Sequence, residues 1–160
     1  MIVVSDASPL IVLDAIGQLT LLPELFGPVI VPSAVGEELA RGRDRPIVPD
    51  DHVWMSVRSP RRPGGHGVRP ALGTGEREAI ELALELQADL LLIDEAPGRR
   101  EAERLRLTFT GVLGILGIAK QAGRIPSVRE LIERIQRETS FRLSPGVIEQ
   151  ALEEAGESSS

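Results

Sequence analysis

Two short segments of this chain are apolar from end to end, and each stops at an aspartate: Ile2-Val3-Val4 runs into Ser5-Asp6, and Leu90-Leu91-Leu92-Ile93 runs into Asp94. A strand with one face in water alternates apolar and polar residues, whereas a strand covered on both faces is apolar throughout. Helical patterns lie between these segments, so the chain is expected to be α/β, a three-layer α/β/α sandwich with a central parallel sheet. In an open parallel sheet ligands gather beyond the carboxyl ends of the strands. Asp6 and Asp94 therefore fall on one edge, and they face each other if their strands are neighbours. An aspartate after a strand also has a plainer use, as a turn residue or as a cap for the next helix.

The remaining elements follow from periodicity and punctuation. Ser8-Pro9 reads as a helix start, with the helix ending at Gly17. Val29-Ile30-Val31 is a second strand, followed by a helix from Ser33 through Leu39 that Gly42 stops, and residues 52–57 form a weaker strand. Thr74 is expected to cap an amphipathic helix reaching Leu86, and a charged helix begins near Pro97. Residues 107–109 are the last strand. Gly111, Gly114 and Gly117 then recur every third residue, which predicts a helix whose small-residue face lies close to the sheet. Ser127 with Glu130, and Ser144 with Pro145, open two final helices. A single domain over residues 1–156 is expected, with 157–160 as a disordered tail.

Two further carboxylate positions qualify. Val35 and Leu39 lie one turn apart and face the core; Glu38 borders that stripe, whereas Glu37 points further away. Glu76 and Glu78 both fall in the first turn after Thr74 and compete for one role. Acids there are favoured by the helix dipole without any function, yet a helix start also sits at the edge where strands end. Glu95, beside Asp94, is a supporting candidate, and Asp14 and Asp89 read as surface positions. Packed carboxylates repel unless a cation neutralises them. The chain has no cysteine and only two histidines, His52 and His66, so thiolate zinc and Ser-His-Asp chemistry have little material. Oxygen donors alone select a hard ion, Mg²⁺ or Mn²⁺. Two such ions, roughly 4 Å apart, serve phosphodiester hydrolysis by water.

The stretches VVSDASPLIVLDAIGQL, VIVPSAVGEEL, GTGEREAIELALELQADLLLIDEAPGRREAERL and TFTGVLGILGIAKQAGRI resemble the PIN-domain nucleases, in a branch related to the VapC-type toxins, over most of residues 1–126. The resemblance implies Asp6, Glu38 and Asp94 as metal-binding catalytic acids, with Glu76 fitting the third-acid position by spacing and Glu78 by the residue that follows it. It also implies an Mg²⁺-dependent ribonuclease acting on RNA, a homodimer, and inhibition by a small antitoxin. Two departures stand out. Leu92 occupies a position that is often a hydroxyl residue in VapC-like toxins, and the third acid is Glu rather than Asp. A PIN-like module that binds RNA or a partner without catalysis is the alternative. A phosphatase using Asp6 as nucleophile ranks last, because Ser8 stands where the haloacid dehalogenase-like enzymes place a second Asp.

The net charge of −6 does not itself point to nucleic acid, but charge distribution matters more than its sum. Arg58, Arg61, Arg62 and Arg69 cluster in a Pro/Gly-rich loop, and Arg99 and Arg100 follow Asp94; of these, Arg61, Arg62, Arg99 and Arg100 are candidate phosphate contacts. No apolar run reaches the length of a membrane span, and the start MIVVSD lacks the features of a secretory signal, so a cytoplasmic protein is expected.

Overall fold

The computed structural model describes residues 1–41 and 44–157. In chain order the elements are β1 (Val3–Ser5), α1 (Ala7–Ala15), α2 (Leu21–Phe26), β2 (Val29–Pro32), α3 (Ser33–Ala40), a 3-10 turn (Pro49–Asp51), β3 (Met55–Arg58), α4 (Thr74–Leu86), β4 (Leu90–Leu92), α5 (Ala96–Arg104), β5 (Phe109–Thr110), α6 (Val112–Gln121), α7 (Val128–Glu138) and α8 (Pro145–Glu154). The strands form one sheet in the order β3-β2-β1-β4-β5, and every pairing is parallel.

The sheet is apolar on both faces because two separate cores need it to be. Val3, Val29, Val31 and Leu92 point into the larger core, which α1, α2, α3, α6 and α7 complete. Val4, Leu91 and Ile93 point the other way, against Ile80, Leu82 and Ala83 of α4 and Ala102 of α5. Successive residues on one strand thus serve opposite layers, the period-2 rule of a strand buried on both sides. Each fully buried Leu or Ile contributes about 2 kcal/mol. No helix among the described residues is long and apolar enough to cross a membrane.

Several boundaries differ from expectation, each for a local reason. α2 carries no long periodic signal, since it is six residues with Pro23 inside; Leu21, Leu22 and Phe26 nonetheless bury one face, and Gly27 ends it at φ 73°. Gly73, not Thr74, holds the capping position of α4. The last strand begins at Phe109 rather than at residue 107. Of the three glycines in and before α6, Gly111 and Gly114 do lie against the strand ends, at Asp94 and Thr110, but Gly117 meets nothing within 4 Å. The buried face of α6 is Val112, Ile115, Leu116 and Ala119. Glu157 is not loose: its carboxylate accepts from Lys120 Nζ at 2.7 Å and from the Val128 amide at 2.7 Å, which tethers it to the start of α7. Gly42 and residues 158–160 lie outside the described residues.

Candidate active site

The two aspartates leave neighbouring strands in step. β1 and β4 pair with Ser5 opposite Leu92, and the Asp6 amide extends the ladder by donating to the Leu92 carbonyl at 2.9 Å. Asp6 is 4% exposed. It stands at the capping position of α1, yet its side chain makes no cap hydrogen bond there. Asp94 does cap: its Oδ1 and Oδ2 accept from the Val112 amide at 3.1 and 3.2 Å. That bond fixes the orientation of the carboxylate at the start of α6. Gly111 makes the fit possible, because a Cβ there would overlap Asp94 Oδ1.

Three other elements bring acids to the same edge. Glu76, in the first turn of α4, has a buried Oε2 that receives no hydrogen bond among the described residues. Its neighbour is another carboxylate, Glu95, so their contact becomes a hydrogen bond only when one of them holds a proton. Gly98 leaves room for Glu76; a Cβ there would stand 2.7 Å from Glu76 Oε2 and 2.5 Å from Ile93 Cδ1. Ser8 Oγ donates to Glu95 Oε1 at 3.3 Å, tying the start of α1 to the start of α5. Glu38, on α3, is exposed, and its charge acts on Asp6 from across the mouth formed with Thr74 and Gly75.

Glu78 is occupied elsewhere. Its Oε1 accepts from Ser33 Oγ at 3.2 Å and from the Ala34 amide at 3.1 Å. It serves the first turn of α3, supplying from another helix what an N-cap side chain would supply locally. Leu92 is fully buried in the larger core, so no hydroxyl is supplied from that position.

The electrostatics reflect crowding and burial. Burial pushes the Asp6 carboxyl up to about 6; the charges of Glu38, Glu95 and Asp94 add to this, while the Ala7 amide opposes it. Burial likewise lifts Asp94 to about 6, against the Val112 amide and the nearby Arg99 guanidinium. Glu76 rises furthest, to about 7, through burial and then the charges of Glu95 and Asp6. Acids held above their ordinary range by burial and by one another mark a functional cleft more often than a solvated surface.

A divalent cation fits this donor set. Every candidate ligand is a carboxylate oxygen, which suits Mg²⁺ or Mn²⁺. A cation would satisfy the orphaned Glu76 Oε2 and remove the repulsion that raises the acids. Among the described residues no three His, Asp or Glu side chains already form a finished ligand cluster. The acids share an edge rather than a closed cage.

The candidate phosphate contacts divide. Arg99 lines the cavity beside Asp94, with its guanidinium 5.2 Å from the centroid of the Phe109 ring. Arg100 is exposed on α5. Arg61 and Arg62 are exposed, but their backbone amides donate to Glu85 at 2.8 and 2.9 Å. The loop is therefore strapped to the protein. Glu85 holds Arg61, Arg62 and His66; Glu81 accepts from the Gly64 amide at 2.5 Å; Glu101 accepts from the Arg69 amide at 2.7 Å. Sequence reasoning did not single out these three anchors. The one signal was Glu81 within the apolar run Ala79-Ile80-Glu81-Leu82-Ala83, where a charge calls for a partner.

A family model described as a PIN domain matches residues 2–157 of the chain. No curated protein and no solved structure gives a significant match.

Proposed function

Because the chain belongs to the PIN-domain family, whose fold is of nuclease type, we propose that it is a metal-dependent endoribonuclease that hydrolyses RNA phosphodiester bonds. The observation that carries this reading is the meeting of Asp6, Asp94 and Glu76, from two neighbouring strands and a helix start, at the edge where ligands of parallel sheets bind. In this reading Asp6, Glu38, Glu76 and Asp94 hold Mg²⁺ or Mn²⁺. Such an ion supplies activation of water and stabilisation of charge on the phosphate and leaving oxygens. The net reaction adds water across one P–O bond and leaves one phosphate end and one hydroxyl end.

The chain's own residues do the positioning. The Val112 amide fixes Asp94, the β1–β4 ladder fixes Asp6, and Ser8 holds Glu95 beside both. Arg99 offers a guanidinium for a substrate phosphate. The resemblance to VapC-type toxins supports a toxin role, with a small inhibitory antitoxin and a homodimeric assembly.

Glu76 and Glu78 separate under substitution. Glu76→Gln is expected to lower RNA cleavage by at least about 50-fold, the order of loss when a metal site is disturbed, while the metal-free variant at pH 8 melts above wild type because a raised acid has been neutralised. Glu78→Ala, which removes the oxygen that accepts from Ser33 and Ala34, is expected to keep cleavage within a few-fold of wild type while losing about 1 kcal/mol of stability, the worth of a helix cap. Cleavage rates and melting curves on both variants decide it; the opposite pattern would assign the role to Glu78.

A further inference from the structure

The acidic edge opens into a cavity of about 790 Å³ that runs from Asp94 and Glu95 along α6 to the segment leading into α8. Its lining has a consistent chemistry. Gly117 leaves a bare turn of α6 next to Gly114, which packs on Thr110, and Phe141 and Val147 supply apolar walls. Gln121 and Gln150 add amide groups, and Gln150 Nε2 donates to Glu154 at 3.1 Å, which leaves its carbonyl oxygen to accept from an occupant. Arg99 stands at one end, and Arg142 also lines the cavity, with its guanidinium braced on the Thr139 and Phe141 carbonyls at 2.7 and 3.2 Å. Two bonds on Nη1 leave further N–H donors for an anion.

Gly117 sharpens the reading. Glycine weakens a helix interior, yet it stands at 117, where an added Cβ would touch nothing within 4 Å. Packing does not ask for a glycine at 117. What it provides is room in the cavity, further along α6 from the acids.

We propose that this cavity is a base-binding subsite for single-stranded RNA, taking the unpaired nucleobase beside the phosphate at the acidic edge. Apolar walls suit the faces of a base, amide groups suit its edges, and guanidinium groups suit the flanking phosphates. A duplex keeps its bases stacked inside and cannot insert one. The proposal rests on the nuclease reading for the position of the phosphate. Continuity with the acidic edge favours an RNA strand over a protein segment as the occupant.

The test is fluorescence anisotropy with labelled single-stranded and duplex RNA ten-mers in EDTA, where metal-dependent cleavage is silent. Wild type is expected to bind the single strand at least about tenfold more tightly than the duplex. Gly117→Leu, whose Cβ meets nothing within 4 Å and whose side chain enters the cavity, is expected to weaken that binding about tenfold with an unchanged or higher melting temperature. Phe141→Leu, which keeps the packing but removes the aromatic face, is expected to weaken it several-fold. A ten-mer with abasic sites should lose the difference between wild type and Gly117→Leu. Equal binding by Gly117→Leu and wild type, equal binding of duplex and single strand, or no binding by wild type overturns the subsite, and the first of these leaves the cavity to a protein partner. Cleavage by wild type in Mg²⁺ with binding that ignores Gly117 overturns the subsite alone. Gly117-dependent binding without cleavage in any metal overturns the nuclease reading alone.

Discussion

Asp6→Asn and Asp94→Asn are each expected to lower the proposed RNA cleavage by at least about 100-fold, and both are expected to make the metal-free protein more stable at pH 8. The loss follows from taking one anionic ligand out of a site whose chemistry depends on the cation it holds. The gain follows from burial. Asp6 and Asp94 are held at about 6, above the ordinary 3.8, so their ionised forms are disfavoured in the folded protein. A group raised in this way stabilises the fold below its unfolded pKa, and that contribution is lost as pH rises through the folded pKa. Metal-free wild type should therefore lose stability between about pH 4 and pH 7, the window set by Asp6, Asp94 and Glu76. A neutral Asn escapes this loss and is worth on the order of 1–3 kcal/mol at pH 8. Melting curves across pH, with and without Mg²⁺, check it. Variants that melt below wild type at pH 8 without metal would contradict the electrostatic account. The proposed toxin role carries the same signature in cells: expression of wild type is expected to arrest growth, and expression of the Asp94→Asn chain is expected not to.

Glu101→Ala is expected to destabilise the protein by about 2–3 kcal/mol and to free the arginine loop. Glu101 is buried on α5 and accepts from Arg104 Nε and Nη2 at 2.7 Å each and from the Arg69 amide at 2.7 Å. The Arg104 hydrogen bonds, ahead of the Arg69 amide and despite burial, hold its carboxyl down to about 2. Breaking a buried pair by removing one partner costs about 3–5 kcal/mol. The Arg104 side chain is 39% exposed, and solvent screening lowers the estimate. Arg104 also donates to the Gly67 carbonyl at 2.7 Å, so its release loosens the loop from two sides. Trypsin should then cut after Arg61, the loop arginine not followed by proline, at least about tenfold faster than in wild type. An unchanged melting temperature and digestion rate would show that the loop is held by Glu81 and Glu85 alone.

The parts of the fold that read directly from the chain are those governed by burial on two faces. Val3-Val4 and Leu91-Leu92-Ile93 cannot alternate because both sheet faces carry a core, so the parallel sheet and the edge bearing Asp6 and Asp94 were legible. Tertiary partners were not. Nothing local separates Glu76 from Glu78; Ser33 and Ala34, some 44 residues earlier, engage Glu78. Glu95 reads from the sequence only as a supporting candidate beside Asp94; its contacts with Ser8 and Glu76 are tertiary. The loop at 59–73 has the composition of a mobile segment, yet backbone amides along it end on carboxylates of α4 and α5. Such bonds leave no periodicity in the sequence. The glycine spacing carried a real signal, but a divided one: Gly114 lies close to the strand end at Thr110, whereas Gly117 faces open space in the cavity.

The central claim is that the acids at this edge exist to hold a divalent cation. Calorimetric titration of Mn²⁺ into wild type and Asp94→Asn at pH 6.5, in two buffers of different ionisation enthalpy, tests it most directly. Carboxyls held at about 6 and about 7 still carry protons at that pH. Wild type should bind Mn²⁺ and release protons as it does so, and Asp94→Asn should bind at least about tenfold more weakly. Absence of Mn²⁺ binding by wild type, or equal binding by the variant, would contradict the account.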